Sequence, residues 1–449
     1  MKKHMTMRNK LLLCFLLLVA SVSAQEVRQD TLLKKDLAID LVLRKNFDIE
    51  VSQNNLEVAD NNQGILNSGY LPTLSTSFGY DFSLQDRLAE VEGREPIDQT
   101  DLETQSYRAS LDLNYTIFDG LGRLYNYKSL KEQYNLTELE VRETIENALI
   151  QMLSVYYEVA RLHENVQILE QTMNISNERV KRSNYQFQFG QASKLVALNA
   201  EVDAANDSIN LINAKQNLEN TRRDLMLILN TEFKTEFEVD TSVEFIPELL
   251  ITQYMESAQE NNVSVLKIES NLTISDYDIK ISRSGYFPQI DLFGSYGWNR
   301  NISPESPFFP GSTQTLEGAS AGVSLSWNLF DGGQTAVRVQ NAKVGYKTQE
   351  VLKDQIKFQV KRDISNAFSN YQNRLYIYEL QEQNVETNQN NFDRSKEQFS
   401  IGQITSIEFR QAQVNLINAK TSRNLAKYDA KIAELQLLQL TGQLLNVDF

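Results

Sequence analysis

One feature constrains this 449-residue chain more than any other: it repeats itself once, at long range. Ser68-Gly69-Tyr70-Leu71-Pro72 returns as Ser284-Gly285-Tyr286-Phe287-Pro288, an offset of 216. Phe118-Asp119-Gly120 returns as Phe330-Asp331-Gly332, an offset of 212, and Phe187-Gln188-Phe189-Gly190-Gln191 as Phe399-Ser400-Ile401-Gly402-Gln403, again 212. The Leu-Ile-Asn-Ala-Lys echo at 211 and 416 is shifted by 205; the difference from 212 is one heptad, so it is an echo within a helix. A period this long indicates a duplicated domain, not a short-repeat solenoid. Two tandem halves are expected, about 31–230 and 247–445, joined by residues 231–246.

Each half follows one order: a helical segment (about 31–68, then 247–284), a strand, a polar loop, a second strand, a very long helix, a tight turn and another long helix. The strands are expected at about 73–84, 106–118, 289–299 and 319–330. In the first, Leu74, Thr76, Phe78, Tyr80, Phe82 and Leu84 share one face against Ser75, Ser77, Gly79, Asp81 and Ser83. Tyr107, Ala109, Leu111, Leu113, Tyr115 and Ile117 oppose Arg108, Ser110, Asp112, Asn114 and Thr116 in the second. The third, with Ile290, Leu292, Tyr296 and Trp298 on its apolar face, is the least regular, because Phe293 falls on the polar side. The fourth sets Ala321, Val323, Leu325, Trp327 and Leu329 against Ser320, Ser324, Ser326 and Asn328. Alternation over about ten residues with aromatics near the ends suits a strand with lipid on one side and water on the other. One such run alone favours a soluble sheet with one wet face; four together, with a signal peptide and no cysteine in the mature chain, favour the membrane. Residues 85–104 and 299–318 are expected to be polar loops. The first is acidic despite Arg87 and Arg94, and the second carries Pro304, Pro307 and Pro310.

The junctions carry their own punctuation. Gly69 and Gly285 are expected in the left-handed conformation that ends a helix, with Pro72 and Pro288 at strand starts. Asp119 and Asp331 are expected N-caps, and Gly120 and Gly332 permit the bend. From Val141, apolar residues fall at Ile145, Ala148, Met152, Val155, Val159, Leu162, Val166 and Leu169, a four-heptad coiled-coil seam. Ile356, Val360, Ile364, Ala367, Tyr371, Leu375 and Tyr378 make a looser one. Helices of roughly 65–70 residues, at about 1.5 Å per residue, reach on the order of 100 Å. The helical hairpin tips are expected at about 187–193 and 399–405, where Gly190 and Gly402 break the helices and Ser193 and Thr405 restart them. Thr405 to Glu408 reads as a capping box, while Val196 leaves the first-half cap incomplete.

The N-terminus reads as a signal peptide, 1–24. Lys2, Lys3, Arg8 and Lys10 precede an apolar run, Leu11 to Ala20, and Val22-Ser23-Ala24 is a small-residue cleavage site. The mature chain, 25–449, then has no cysteine, since Cys14 is the only one, which excludes disulfides and thiolate metal sites. Formal charge is −15, and −19 once the four basic signal residues leave; that balance argues against nucleic acid as a partner. No later segment approaches 18 apolar residues, so if the chain enters a membrane it does so as β-structure.

Together, the paired G-Y-x-P and F-D-G junctions and the paired F-x-x-G-Q turns followed by Ser193 or Thr405 resemble the TolC family of outer-membrane efflux proteins, across essentially the whole mature chain. The resemblance implies an α+β membrane protein: a long antiparallel α-helical coiled-coil tunnel plus a transmembrane β-barrel. Four strands per chain would make a 12-stranded barrel completed by a homotrimer, in the outer membrane and extending into the periplasm. The implied function is the passive exit duct of a tripartite efflux or type I secretion system. Its partners would be a periplasmic adaptor protein and an inner-membrane pump. Carried over residue by residue, the aperture gate falls on Glu408 with Gln411. Val196 and Ile404 stand where an acidic and, in some members, a basic gate residue would be. Adaptor docking falls on Phe189, Gly190, Gln191, Ile401, Gly402 and Gln403.

Other classes fit less well. His163 is the only histidine of the mature chain, and no nucleophile motif, phosphate loop or HExxH accompanies it. Neither enzyme activity nor a cofactor is expected. The rival is a trimeric adhesive or structural coiled-coil stalk with a β-barrel anchor. Such a stalk would carry one continuous heptad run and one anchor, whereas these hairpins return twice to the strand end.

Overall fold

A computed structural model describes residues 32–90, 92–93, 95–231, 237–305 and 310–447. The expected signal peptide, Arg94 and Pro307 lie outside the described residues. In each half the chain runs down a helical wall and back up, with a strand pair at the upper end. The first half contains β1 (Leu32–Leu33), α1 (Lys35–Lys45), α2 (Phe47–Gln63), β2 (Thr73–Ala89), β3 (Ile97–Phe118), α3 (Gly122–Gln188) and α4 (Lys194–Ile228). After β4 (Glu238–Val239) the second contains α5 (Glu248–Asn261), α6 (Val263–Ser284), β5 (Gln289–Ser303), β6 (Ser312–Ser326), α7 (Gln334–Ser400) and α8 (Ser406–Leu440). Helices α3 and α7 each have 67 residues, α4 and α8 each 35.

The sheet is antiparallel in the order β2-β3-β5-β6, so the two halves meet at β3 and β5 while β2 and β6 stay unpaired on their outer sides. Register puts the apolar residues of neighbouring strands side by side: Leu74 opposite Leu113, Tyr80 opposite Tyr107, Leu111 opposite Tyr296, Leu292 opposite Val323. On the other face Ser77 and Ser110 are 2.9 Å apart, Ser295 donates to Asp112 at 2.6 Å and Thr116 to Asp291 at 2.7 Å. The misplaced Phe293 is accommodated by its partner. It pairs with Gly322, where a Cβ would stand 2.7 Å from the Phe293 ring.

Several expectations need correction. Strand pairing runs on through much of 85–104 and 299–318, because backbone ladder bonds form whether or not side chains alternate. The first pair is laddered out to Ala89 opposite Ile97 and the second to Ser303 opposite Ser312. At the other end β6 stops at Ser326, and Trp327 instead donates from its indole to the Tyr286 carbonyl at 3.2 Å. Gly69 is left-handed (φ +72°), but Gly285 is right-handed (φ −63°). Gly285 is needed for room instead: a Cβ there would meet the Thr335 side chain at 3.0 Å. Asp119 and Asp331 lie ahead of the first helical turn, not at the formal cap positions Leu121 and Gly333. Each nonetheless accepts a backbone N–H inside the helix, from Arg123 and Thr335, both at 2.8 Å.

The expected single helical segments are broken at equivalent points, Asn46 and Asn262, and the first is interrupted again at Gly64 before a short 3-10 turn, Ile65–Asn67. Both asparagines accept from the next-but-one backbone N–H at 3.0 Å, as N-caps do. Both also donate from Nδ2 to the C-terminal end of a returning helix: Asn46 to Ile228 O at 3.3 Å, Asn262 to Leu440 O at 2.8 Å. They are the same position of the repeat, related by the same offset as the two Ser-Gly-Tyr junctions.

The core lies near mid-height. The α3 seam residues Val141, Ala148, Met152, Val159 and Val166 are buried, and Met152, Val159 and Val166 join a cluster with α1, α4 and α8. The linker is held there too. Tyr156 donates to Leu33 O at 2.7 Å and accepts from the Asp240 N–H at 3.0 Å, which ties down the small parallel β1–β4 pair. Buried Glu434, ion-paired with Lys431, accepts from the Ile246 N–H at 2.9 Å.

Candidate functional site

The two hairpin tips are built alike. At the first, Gly190 (φ +70°) follows the end of α3; its N–H bonds Phe187 O at 3.0 Å and the Gln191 N–H bonds Gln186 O at 2.7 Å. At the second, Gly402 (φ +78°) bonds Phe399 O at 3.2 Å and Gln403 bonds Gln398 O at 2.9 Å. This is the Schellman pattern, in which the left-handed residue lets the chain satisfy the last helix carbonyls as it turns. The six expected docking residues, Phe189, Gly190, Gln191, Ile401, Gly402 and Gln403, are all exposed. Phe189 is 77% exposed and helps line a groove of about 390 Å³ with Arg182, Tyr185 and Gln191.

The restart of each helix differs. Thr405 forms the full capping box: its backbone N–H donates to Glu408 Oε2 at 2.7 Å, and its hydroxyl accepts from the Glu408 N–H at 3.2 Å. The backbone N–H of Thr405, then its hydroxyl, hold the Glu408 carboxyl below the usual carboxylate range. Ser193 makes no such side-chain bond. Glu408 and Gln411 are both exposed on α8, and Gln411 donates to Asn415 on the same helix at 2.8 Å.

Above the tips, the hairpins are fastened by a polar cluster that sequence reading missed. Arg410 on α8 makes two 2.7 Å bonds to the Asp207 carboxylate on α4. Ser176 on α3 donates to Asp207 at 2.6 Å, and Arg179 pairs with Asp203. Gln413 reaches Thr172 O and Ser176 Oγ, both at 3.3 Å. Asp207, Ser176, Arg179 and Gln413 are buried, so this bidentate pair acts where solvent screening is weak. Below it Arg182 donates to Ser400 O at 2.8 Å and lies over the Phe399 ring. Arg182 and Phe399 recur as Arg394 and Phe187, but the bonding residues above them do not: Leu198, Ala419 and Asn391 stand where Arg410, Asp207 and Arg179 would have mates. No signal at the repeat offset could therefore reveal them.

Among the described residues no cluster of His, Cys, Asp or Glu could hold a metal ion, and no helix is long and apolar enough to cross a membrane.

Comparison with known proteins places this geometry. The family described as Outer membrane efflux protein matches residues 38–231 and 254–443, covering both halves. The outer membrane efflux protein BepC of Brucella suis is 20% identical over 401 residues, 89% of this chain and 83% of its own. The outer membrane protein TolC of Vibrio cholerae is also 20% identical, over 85% of this chain and 84% of its own. The crystal structure of the Campylobacter jejuni CmeC outer membrane channel superposes with a TM-score of 0.74 at 16% identity, covering 91% of this chain and 86% of that one. The chain belongs to the outer membrane efflux protein family, with the TolC-like fold of helical tunnel wall and β-barrel segment.

Proposed function

We propose that three copies of this chain close head to tail into the exit duct of an efflux or secretion system. One observation carries this: every open edge of the chain lies on one of two sides. The upper helical wall runs α2-α3-α6-α7, the lower wall α4-α3-α8-α7, and the sheet β2-β3-β5-β6. One side is thus β2, α2 and α4, and the other β6 and α7. Both bear unpartnered apolar heptads. Val337, Val344, Val351 and Phe358 on α7 are each more than half exposed. So are Val51, Val58 and Ile65 along α2 and the turn after it, and Leu195, Val202 and Ile209 on α4. Stripes spaced by seven are what knobs-into-holes packing consumes. Pairing one side with the other side of the next copy is a heterologous contact, which forms a ring where the rotation between copies closes. Three chains of four strands give the 12-stranded barrel, which removes the unpaired edges that lipid cannot tolerate.

The duct is passive, and its energy comes from an inner-membrane pump linked through a periplasmic adaptor protein. The exposed tip residues around Phe189 and Ile401 are the docking surface. Glu408 and Gln411 line the aperture. Purified protein in planar bilayers should pass ions, whereas a non-conducting trimer that binds surfaces would favour the adhesive stalk. Glu408→Ala should raise conductance or alter cation block; no change in either would leave Glu408 as a helix cap alone.

A further inference from the structure

The upper end of the wall carries a cluster that the duct reading leaves without a role. Tyr125 on α3 and Tyr277 on α6 stack at 6.4 Å between ring centroids. Lys280 Nζ sits 5.4 Å from the first ring and 5.3 Å from the second, held by Asp276 at 2.6 Å. Lys128 Nζ lies 5.8 Å from the Tyr125 ring; it is exposed and has no ion-pair partner among the described residues.

The cluster lies on the outer side of the wall. Lys128 precedes Arg142 by two heptads, so the two share a face of α3. Arg142 donates to Asn261 O, the end of α5, at 3.1 Å. Lys280 follows Glu269 by three helical turns, so they share a face of α6. Glu269 lines a cleft with Glu256, Gln259 and Glu260 of α5. Both lysines therefore stand on the face that carries α5. That added layer belongs outside, because three copies of it inside would fill the bore.

Height is equally defined. Tyr125 and Lys128 are three and six positions into α3, and Lys280 is four from the end of α6. At about 1.5 Å per residue that is roughly 5–9 Å from the helix ends, and only the short junctions 119–121 and 285–288 separate those ends from the strands, which puts the cluster beside the headgroup layer that borders the hydrocarbon band. Side chains on α3 tilt toward its N-terminus, so Lys128 leans toward the membrane. Tyrosines suit this boundary, with an apolar ring and a wet hydroxyl. The charge is opposite to that of the chain, which is −15 in total.

We propose that Lys128 and Lys280, flanking Tyr125 and Tyr277, bind the phosphate of an anionic phospholipid headgroup in the periplasm-facing leaflet. The site rests on the outer-membrane duct reading and gives that duct a fixed depth in the bilayer.

Native mass spectrometry of the detergent-solubilised protein, titrated with phosphatidylglycerol or phosphatidylcholine, tests this. Wild type should retain phosphatidylglycerol over phosphatidylcholine, and Lys128→Gln/Lys280→Gln should lose that retention by roughly tenfold or more. Equal retention in both proteins, or equal retention of both lipids, would overturn the site. Displacement of the lipid by millimolar inorganic phosphate would also overturn it, marking a free-anion site. If the double variant fails to assemble, exposed Lys128→Gln alone carries the same test with a smaller loss. Bilayer conductance of the variant separates the two ideas. A variant that conducts normally but binds lipid like wild type defeats the site and leaves the duct; a non-conducting wild type defeats the duct.

Discussion

The two hairpin tips follow one backbone path and are finished differently. Phe187 of the first tip is 42% exposed, while its mate Phe399 is 8% exposed. The cause is one substitution between halves. Phe409 stands where the first half has Ala197, and Phe399 stacks on it at 4.8 Å with the rings 2° from parallel. The second tip thus packs its aromatics inward, closes its cap and sends Arg410 across to the first. The first tip leaves Tyr185, Phe187 and Phe189 facing water. Both tips thus leave apolar surface for a partner to cover, but the first exposes aromatic rings while the second keeps its rings inside and exposes Ile401 and Ile407.

The largest expected effect lies in the cross-hairpin pair. Arg410→Ala strips buried Asp207 of its guanidinium and should cost about 3–5 kcal/mol. Leu198→Ala, the equivalent position, is exposed and should cost under about 1 kcal/mol. Hydrogen exchange across residues 400–415 should quicken in the first variant and stay unchanged in the second.

Next come the paired F-D-G glycines. Both are left-handed, but a Cβ on Gly120 would sit 2.6 Å from Ser284 O, whereas Gly332 has nothing within 4 Å. Gly332→Ala should cost about 1–2 kcal/mol for conformation alone. Gly120→Ala adds a clash of about 1–3 kcal/mol more. Thermal unfolding in detergent should rank them in that order; equal losses would mean the repeat is symmetric at the junction after all.

The caps differ by less. Thr405→Ala should cost about 1 kcal/mol and Ser193→Ala only a few tenths, read as fraying of α8 and α4. The smallest effect is on pH. The Glu408 carboxyl is held below its ordinary 4.5. Its stabilisation is therefore complete above that value and lost as pH falls through the folded-state value. The second tip should loosen on acidification below about pH 4.5, while the first, with Val196 in that place, should not respond.

Much of this was legible in the sequence because it was written twice. The Gly69 junction, the Gly190 and Gly402 turns and the complete cap at Thr405 each follow from local chemistry that one residue type satisfies, whereas Gly285 answers to the packing of Thr335 and so is misread from its repeat mate. Strand ends are not legible in the same way, because side-chain alternation reports which face is wet, not where backbone pairing stops. Asn46 and Asn262 carried a signal, an asparagine at the same repeat offset before a helical run, but their second bonds reach helix ends far along the chain. The Arg410–Asp207 pair had no signal, since it exists in one half only and joins positions 203 apart. The β1–β4 pair, two residues long, falls below any periodicity.

Head-to-tail closure of the open edges is tested most directly by counting chains in the conducting particle. Native mass spectrometry of the detergent-purified, channel-active fraction should give a single species of three mature chains. A conducting species of one chain would contradict it, because four strands cannot close a barrel.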